Sequence, residues 1–282
     1  MKFYVIPNMT RANTFAVTSE LLDKINELGC GAVLSEEFEG TFGKRDNVIY
    51  LKDNHGISES DMVIAVGGDG TFINAAKIAV NNCKPIICVN AGKLAYLACL
   101  EADELSLLSN VTDGNFVTEK RMMLSVNIVD KGGKILYHSN CVNDAVVSRS
   151  GNIRIMNLSV YCNNAPLIDF PADGAIVATP TGSTAYSLSA GGPVVQPSVE
   201  SILVTPVCPH SVFSRSIVLG GDSKLQLLHD NSGEAILSCD GQEAVVIPEG
   251  AAVTVERSQD YVSFIKIKED TFIDVLNKKI SG

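Results

Sequence analysis

The sequence predicts an α/β layer at the N-terminus followed by a β-rich domain. Three observations predict this. Asp61–Val66 is a run apolar after its first residue, which leads through Gly67–Thr71 into an alanine-rich segment. Such a run is expected of a strand covered on both faces of a parallel sheet. Strand and helix signals alternate up to about residue 115, as in α/β proteins. From residue 116 the texture changes to short β-rich runs punctuated by turn residues, the pattern of an antiparallel sandwich or similar β domain.

The elements follow in order. Lys2–Pro7 reads as a buried strand, and residues 12–28 as a helix with Leu21, Leu22, Ile25 and Leu28 at helical spacing and Gly29 placed to end it. Ala32–Leu34 and Pro85–Val89 are further strands, Phe72–Val80 is a helix packed on the sheet, and Asp103–Ser109 is a short helix. The β-rich runs are Leu124–Val129, Lys134–Tyr137, Asp144–Ser148, Ile153–Val160, Ala175–Ala178, Ser201–Thr205, Lys224–Leu228, Ala235–Ser238, Ala244–Ile247, Val253–Glu256 and Val262–Ile267. Turn signals such as KGG, NN, DNSG and PEG separate them. Ser183–Ser189 is a helical interruption, and Asp270–Leu276 is a helix that returns to the first domain. The expected boundaries are 1–118 completed by 262–282 for the α/β domain, and 119–261 for the β-rich domain.

Composition excludes several classes. The chain has 282 residues, a formal net charge of −10 and 46% apolar residues. A nucleic-acid binder needs a basic field to displace counterions from phosphates, and no Lys/Arg cluster suggests a membrane surface. No apolar run approaches the ~20 residues of a membrane span. Pro7 and Asn8 interrupt the first apolar run too early for a signal peptide. None of the eight cysteines forms a CxxC pair. They read as buried free thiols of a reducing, cytoplasmic compartment. No His/Cys/carboxylate set has metal-ligand spacing. His55, His138 and His229 read as surface residues, and His210 as a structural turn residue or a support for the site.

Two motifs carry chemistry. Gly67-Gly68-Asp69-Gly70-Thr71 follows a buried strand and opens a helix, the crevice where open α/β sheets bind ligands. Glycines let backbone amides approach a phosphate, and the helix start adds partial positive charge. It is neither GxGxxG nor a Walker A loop. An acid in an anion-binding turn is unfavourable unless it handles a proton or a metal. The alternative is a plain glycine turn that tolerates Asp69. The second motif is Thr179-Pro180-Thr181-Gly182-Ser183-Thr184-Ala185-Tyr186, preceded by Asp173-Gly174 and followed by Ser187-Leu188-Ser189-Ala190-Gly191-Gly192-Pro193. A strand enters a hydroxyl-rich turn and then a short helix, which Ser183 or Thr184 can cap. The hydroxyls suit a ribose, and Tyr186 is available to stack on a flat base. The alternative is an ordinary Gly/Ser/Thr turn.

Together these blocks resemble the NAD kinase family. Asn90-Ala91-Gly92-Lys93-Leu94, Asn143-Asp144, Thr205-Pro206-Val207-Cys208-Pro209-His210 and Asp240-Gly241-Gln242 also resemble its motifs. The resemblance implies phosphoryl transfer from ATP, or polyphosphate, to the 2′-hydroxyl of the adenosine ribose of NAD. It also implies an active site between an α/β and a β domain, and a homo-oligomer (dimer or tetramer). Carried over by position, Asp69 would accept or orient the hydroxyl proton, and Gly67, Gly68, Gly70 and Thr71 would hold phosphate. Asn143 and Asp144 would bind the adenosine part of NAD, and Thr181, Thr184, Ala185, Tyr186 and Ser189 would line the pocket. Asp173 and Asp240 would contact the nicotinamide half or a neighbouring adenosine. With few basic residues near these motifs, a divalent cation (Mg²⁺ or Mn²⁺) accompanying ATP would supply much of the positive charge. No side-chain metal site is expected.

The sequence departs from the family pattern at Asn74 and Lys77, in the run Leu94-Ala95-Tyr96-Leu97, and at Asp144, where Glu is more frequent. These departures leave donor choice and the NAD/NADH preference open. GGDGT also occurs in lipid kinases, so a lipid kinase is one alternative. A dinucleotide sensor that has lost the chemistry is the other.

Overall fold

The computed structural model describes residues 1–92, 95–151, 155–211, 215–230 and 233–280. It divides into a first unit of residues 1–120 and 262–282, and a second of 121–261.

In the first unit the strands are β1 (Lys2–Pro7), β2 (Gly31–Ser35), β3 (Val48–Leu51), β4 (Met62–Gly67) and β5 (Ile86–Asn90). They form a parallel sheet in the order β3-β2-β1-β4-β5. Every residue of β4 and β5 is buried, as the unbroken apolar runs require. Helix α1 (Thr14–Glu27) buries Val17, Leu21, Leu22 and Ile25. It ends as Gly29 predicts. Gly29 has φ +65°, its N–H bonds Asn26 O at 2.9 Å, and Cys30 N–H bonds Ile25 O at 3.0 Å, the paired bonds of a Schellman cap. Two single-turn helices, α2 (Glu39–Phe42) and α3 (Asp53–Gly56), were not legible in the sequence. Helix α4 (Asp69–Asn81) begins at Asp69 rather than at Phe72, so the turn supplies the helix's first residues. A 3₁₀ helix at Ala102–Leu108 runs into α5 (Ser109–Thr112). Helix α7 (Phe272–Ile280) closes the unit.

The order β3-β2-β1-β4-β5 makes the chain reverse direction across the sheet between β1 and β4. The loops leaving the carboxyl ends of these neighbours diverge at such a switch point, and the gap is a binding crevice.

The second unit has two antiparallel sheets. One has the order β10 (Ala165–Ala172), β9 (Met156–Cys162), β14 (Leu225–His229), β17 (Ala252–Lys266), with β6 (Val117–Val129) beside β17 and β7 (Ile135–Cys141) beside β6. The other has the order β13 (Ile217–Gly220), β12 (Ser201–Val207), β11 (Gly174–Ala178), β8 (Asp144–Arg149), β15 (Ala235–Cys239), β16 (Val245–Ile247). Inward side chains of both sheets, including Leu124, Val126, Val147, Leu158, Phe170, Val177 and Leu237, form one core. Helix α6 (Tyr186–Ser189) follows β11.

Some expectations change. The runs 253–256 and 262–267 are one strand, β17, because no glycine or proline interrupts residues 252–266. Strand β10 is masked in the sequence by Pro166 and Pro171. It lies at a sheet edge, where proline is tolerated. The NN turn behaves as predicted: Asn163 and Asn164, at φ +51° and +65°, close the β9–β10 hairpin. Lys93, Leu94 and Ile153, with Asn231 and Ser232 of DNSG, lie outside the described residues.

Candidate active site

In the first unit the GGDGT turn sits at the carboxyl end of β4. Gly67 pairs with Asn90 on β5, and Ala91 N–H donates to Gly67 O at 2.9 Å. A side-chain carbon on Gly67 would stand 2.4 Å from Thr71 Oγ1, so only glycine lets Thr71 fold over the turn. Thr71 Oγ1 in turn accepts a hydrogen bond from Asn8 Nδ2 at 2.8 Å. Asp69 opens α4, where a carboxylate is favoured by the helix dipole. Its Oδ2 accepts from Tyr96 N–H and its Oδ1 from Leu97 N–H, both at 2.9 Å. Asn90 is buried. Its Oδ1 accepts from Gly92 N–H at 2.8 Å and its Nδ2 donates to Glu101 Oε2 at 2.7 Å. Gly70 is exposed, with none of the described residues near its missing side chain.

In the second unit the strand AIVAT delivers a turn folded tightly on itself. Thr179 N–H donates to Asn143 O at 2.8 Å. Thr179 Oγ1 donates to Val142 O at 2.6 Å and accepts from Gly182 N–H at 3.0 Å. A carbon on Gly182 would stand 2.1 Å from Asn143 O. The turn and the Asn143–Asp144 loop are thus pressed backbone to backbone. Asp240, at φ +52°, reaches the same loop. Its Oδ2 accepts from Val142 N–H at 2.9 Å, and its Oδ1 accepts from Asn143 N–H at 2.7 Å and Asp144 N–H at 3.1 Å. Asn143 Oδ1 is buried and, among the described residues, has no hydrogen-bond partner, an acceptor left open beside the turn.

The hydroxyls divide into two groups. Thr179, Ser183 and Ser187 are fully buried and bonded within the protein. Ser183 is not a helix cap. Its hydroxyl donates to Pro180 O at 2.6 Å and accepts from Val195 N–H at 3.0 Å, tying down the segment after the glycines. Ser187 shares a buried hydroxyl chain with Thr205 and Ser216, at 3.0 and 2.9 Å. Thr184 is no cap either; its hydroxyl bonds Thr181 O at 3.2 Å. Tyr186 and Ser189 face solvent on α6, Tyr186 at 47% exposure.

Asn143, Asp144, Thr181, Thr184, Ala185 and Asp240 therefore gather around one turn. Asp173 does not join them. It precedes β11 whereas Thr179 follows it, a separation of about 20 Å along an extended strand. Asp173 Oδ1 accepts from Arg149 Nε at 2.6 Å. That bond holds its carboxyl below the usual range against a smaller opposing effect of burial, with His210 and the Cys208 thiol adding to the lowering. Among the described residues no three His, Cys, Asp or Glu side chains cluster to hold a metal. All eight cysteines are free, but Cys83 and Cys208 are exposed rather than buried. His138 is exposed as expected, its Nδ1 bonding Asn127 Oδ1 at 2.8 Å, whereas His229 is partly buried rather than a surface residue.

Family models for the ATP-NAD kinase N-terminal domain and the ATP-NAD kinase C-terminal domain match residues 8–115 and 142–267. The chain belongs to the NAD kinase family. A protein named NAD kinase from Caldanaerobacter subterraneus subsp. tengcongensis is 37% identical over 287 residues, covering 99% of each chain. Another from Acetivibrio thermocellus is 35% identical, covering 99% of this chain and 97% of its own. Among solved structures, a yeast NADH kinase complexed with NADH matches at TM-score 0.89 and 24% identity, over all of this chain and 87% of the other. An Archaeoglobus fulgidus NAD kinase in complex with ATP matches at TM-score 0.74 and 22% identity, over all of this chain and 99% of its own. These two likenesses show the fold. No helix among the described residues of this family member is long and apolar enough to cross a membrane.

Proposed function

We propose that this chain transfers the γ-phosphate of ATP to the 2′-hydroxyl of the adenosine ribose of NAD. The observation that carries the reading is family membership across both domain models, together with an intact Asp69 at the start of α4. The 2′-oxygen attacks Pγ, the bond from Pγ to the bridging oxygen breaks, and ADP leaves with the electron pair. The hydroxyl proton passes toward Asp69. Each Asp69 oxygen accepts one backbone N–H and keeps a further lone pair for that hydroxyl. Gly67, Gly68, Gly70 and Thr71 present the phosphate-binding turn.

Asn143 and Asp144 take the adenosine part of NAD. The buried, open Oδ1 of Asn143 supports this, since a buried acceptor without a partner is costly until a ligand donor meets it. Thr181, Thr184, Ala185, Tyr186 and Ser189 line the pocket, and Asp240 shapes it by holding the Val142–Asp144 amides. Asp173 lies at the far end of β11 and is assigned no contact with the adenosine. Mg²⁺ or Mn²⁺ enters with ATP as part of the donor and neutralises phosphate charge. The free thiols fit a reducing cytoplasm, and a homo-oligomer is the assembly that sedimentation should find.

A coupled assay for NADP formation from NAD, ATP and Mg²⁺ tests the reading, with polyphosphate and NADH in parallel. Wild-type protein should yield NADP, and Asp69→Asn should lower turnover by about 10²–10⁴, the range for a positioned acid/base. Folded protein that binds NAD but makes no product under any pairing would identify a dinucleotide sensor instead.

A further inference from the structure

The loop after β1 carries a cation that the motifs themselves do not announce. β1 and β4 are parallel neighbours with Pro7 opposite Val66, and Asn8 N–H donates to Val66 O at 2.9 Å. The loop therefore starts beside the GGDGT turn. Its backbone is fixed: Thr10 N–H and Oγ1 both donate to Asn8 Oδ1, at 3.1 and 2.7 Å. Arg11 N–H bonds Asn8 O at 3.3 Å, and Thr14 N–H bonds Arg11 O at 3.2 Å, leading into α1.

The Arg11 side chain lies against two glycines. A carbon on Gly68 would stand 3.1 Å from the guanidinium Cζ and Nη2, and one on Gly92 would stand 3.0 Å from Nη1. The guanidinium thus bridges the GGDGT turn and the Asn90-Ala91-Gly92 loop. Both glycines leave it room that an alanine would narrow.

Arg11 is exposed. Among the described residues its guanidinium makes no hydrogen bond or ion pair, whereas Arg45, Arg149 and Arg257 pair with Asp23, Asp173 and Glu200 respectively. In a chain of net charge −10, an arginine kept clear of acids beside a glycine turn is set to meet an anion. Five N–H donors in a rigid planar fork suit phosphate oxygens.

We propose that Arg11 binds the phosphates of the nucleotide donor, supplying a fixed positive charge at the turn. The inference rests on reading Gly67–Thr71 as the phosphate-binding turn. Arg11 forms no bond to phosphorus; it neutralises and orients the chain of phosphates while Asp69 faces the ribose.

The test compares wild type with Arg11→Gln and Arg11→Lys. The readouts are KM for MgATP, KM for NAD and calorimetric binding of inorganic tripolyphosphate. Arg11→Gln should raise KM for MgATP about 10- to 100-fold, the value of one charge-assisted contact, and leave KM for NAD within about twofold. Tripolyphosphate binding should weaken in parallel. Arg11→Lys should recover part of both, since it keeps the charge but not the fork. Arg11 is exposed and its guanidinium makes no hydrogen bond or ion pair among the described residues, so Arg11→Gln should melt close to wild type. A folded Arg11→Gln protein with unchanged KM for MgATP overturns the proposal. If wild type makes no NADP, the tripolyphosphate titration decides alone. Binding lost in Arg11→Gln upholds the anion site and faults the NAD kinase reading, whereas equal binding overturns the role of Arg11.

Discussion

Gly182→Ala is the substitution whose cost the structure sets most sharply. The added carbon would lie 2.1 Å from Asn143 O, 2.5 Å from its carbonyl carbon and 2.7 Å from its Cα. An ordinary carbon–oxygen contact is about 3.3 Å, so the two backbones must separate by about 1.2 Å. They are not free to do so. Asn143 O holds Thr179 N–H at 2.8 Å, Val142 O holds Thr179 Oγ1 at 2.6 Å, and Asp240 anchors the amides on the other side. Separation breaks at least the Thr179 bond. Overpacking of this kind costs about 1–3 kcal/mol, and one lost backbone bond adds about 1 kcal/mol. The sum, about 2–4 kcal/mol, corresponds to a fall in Tm of about 3–7 °C for a chain of this size. Displacing Asn143 should also raise KM for NAD. Circular dichroism melting and steady-state kinetics read both effects. Gly70→Ala is the control for stability, since none of the described residues lies within 4 Å of its added carbon and alanine is the better helix former. A Gly182→Ala protein melting within about 1 °C of wild type would refute the backbone-contact argument.

Further predictions extend this. Asp240→Asn turns one carboxylate oxygen into an NH₂ donor facing backbone N–H groups, so it should lower Tm and raise KM for NAD together; a change in KM without a change in Tm would point to direct ligand contact instead. Burial pushes the Cys99 thiol up to about 11, so at pH 8 iodoacetamide mass mapping should modify exposed Cys83 and Cys208 first and leave Cys99 intact. Burial lowers the pKa of His229, opposed by the Asp230 carboxylate. The unfolded chain then takes up that proton first, so stability should decline as pH falls through about 6.5 and be unaffected above it. The drop in Tm between pH 7.5 and 5.5 should shrink in His229→Gln, and a larger drop would contradict the assignment.

Much of the fold was legible where the signal is local. Asp61–Val66 declared a doubly covered strand because every side chain must be apolar there, and β4 is buried throughout. Gly29 marked the end of α1 because the cap needs a positive φ. Some edge strands were less legible: β3, β10 and β13 each border a sheet, where one side is free of the constraint that makes interior strands uniform, whereas the edge strands β7 and β16 were read from their own runs.

The sequence by itself determined the family, the order of α/β and β segments, and which short blocks hold chemistry, because glycine turns and hydroxyl runs leave a local imprint. Only the tertiary structure decided which members of those blocks remain available. It buried Thr179, Ser183 and Ser187 in internal bonds and set Asp173 at the far end of β11. It gave Asp240 to amides 96–98 residues away and laid Arg11 beside Gly68 and Gly92. These outcomes depend on hydrogen bonds and strand neighbours distant in the chain, and no local spacing of residue types encodes them.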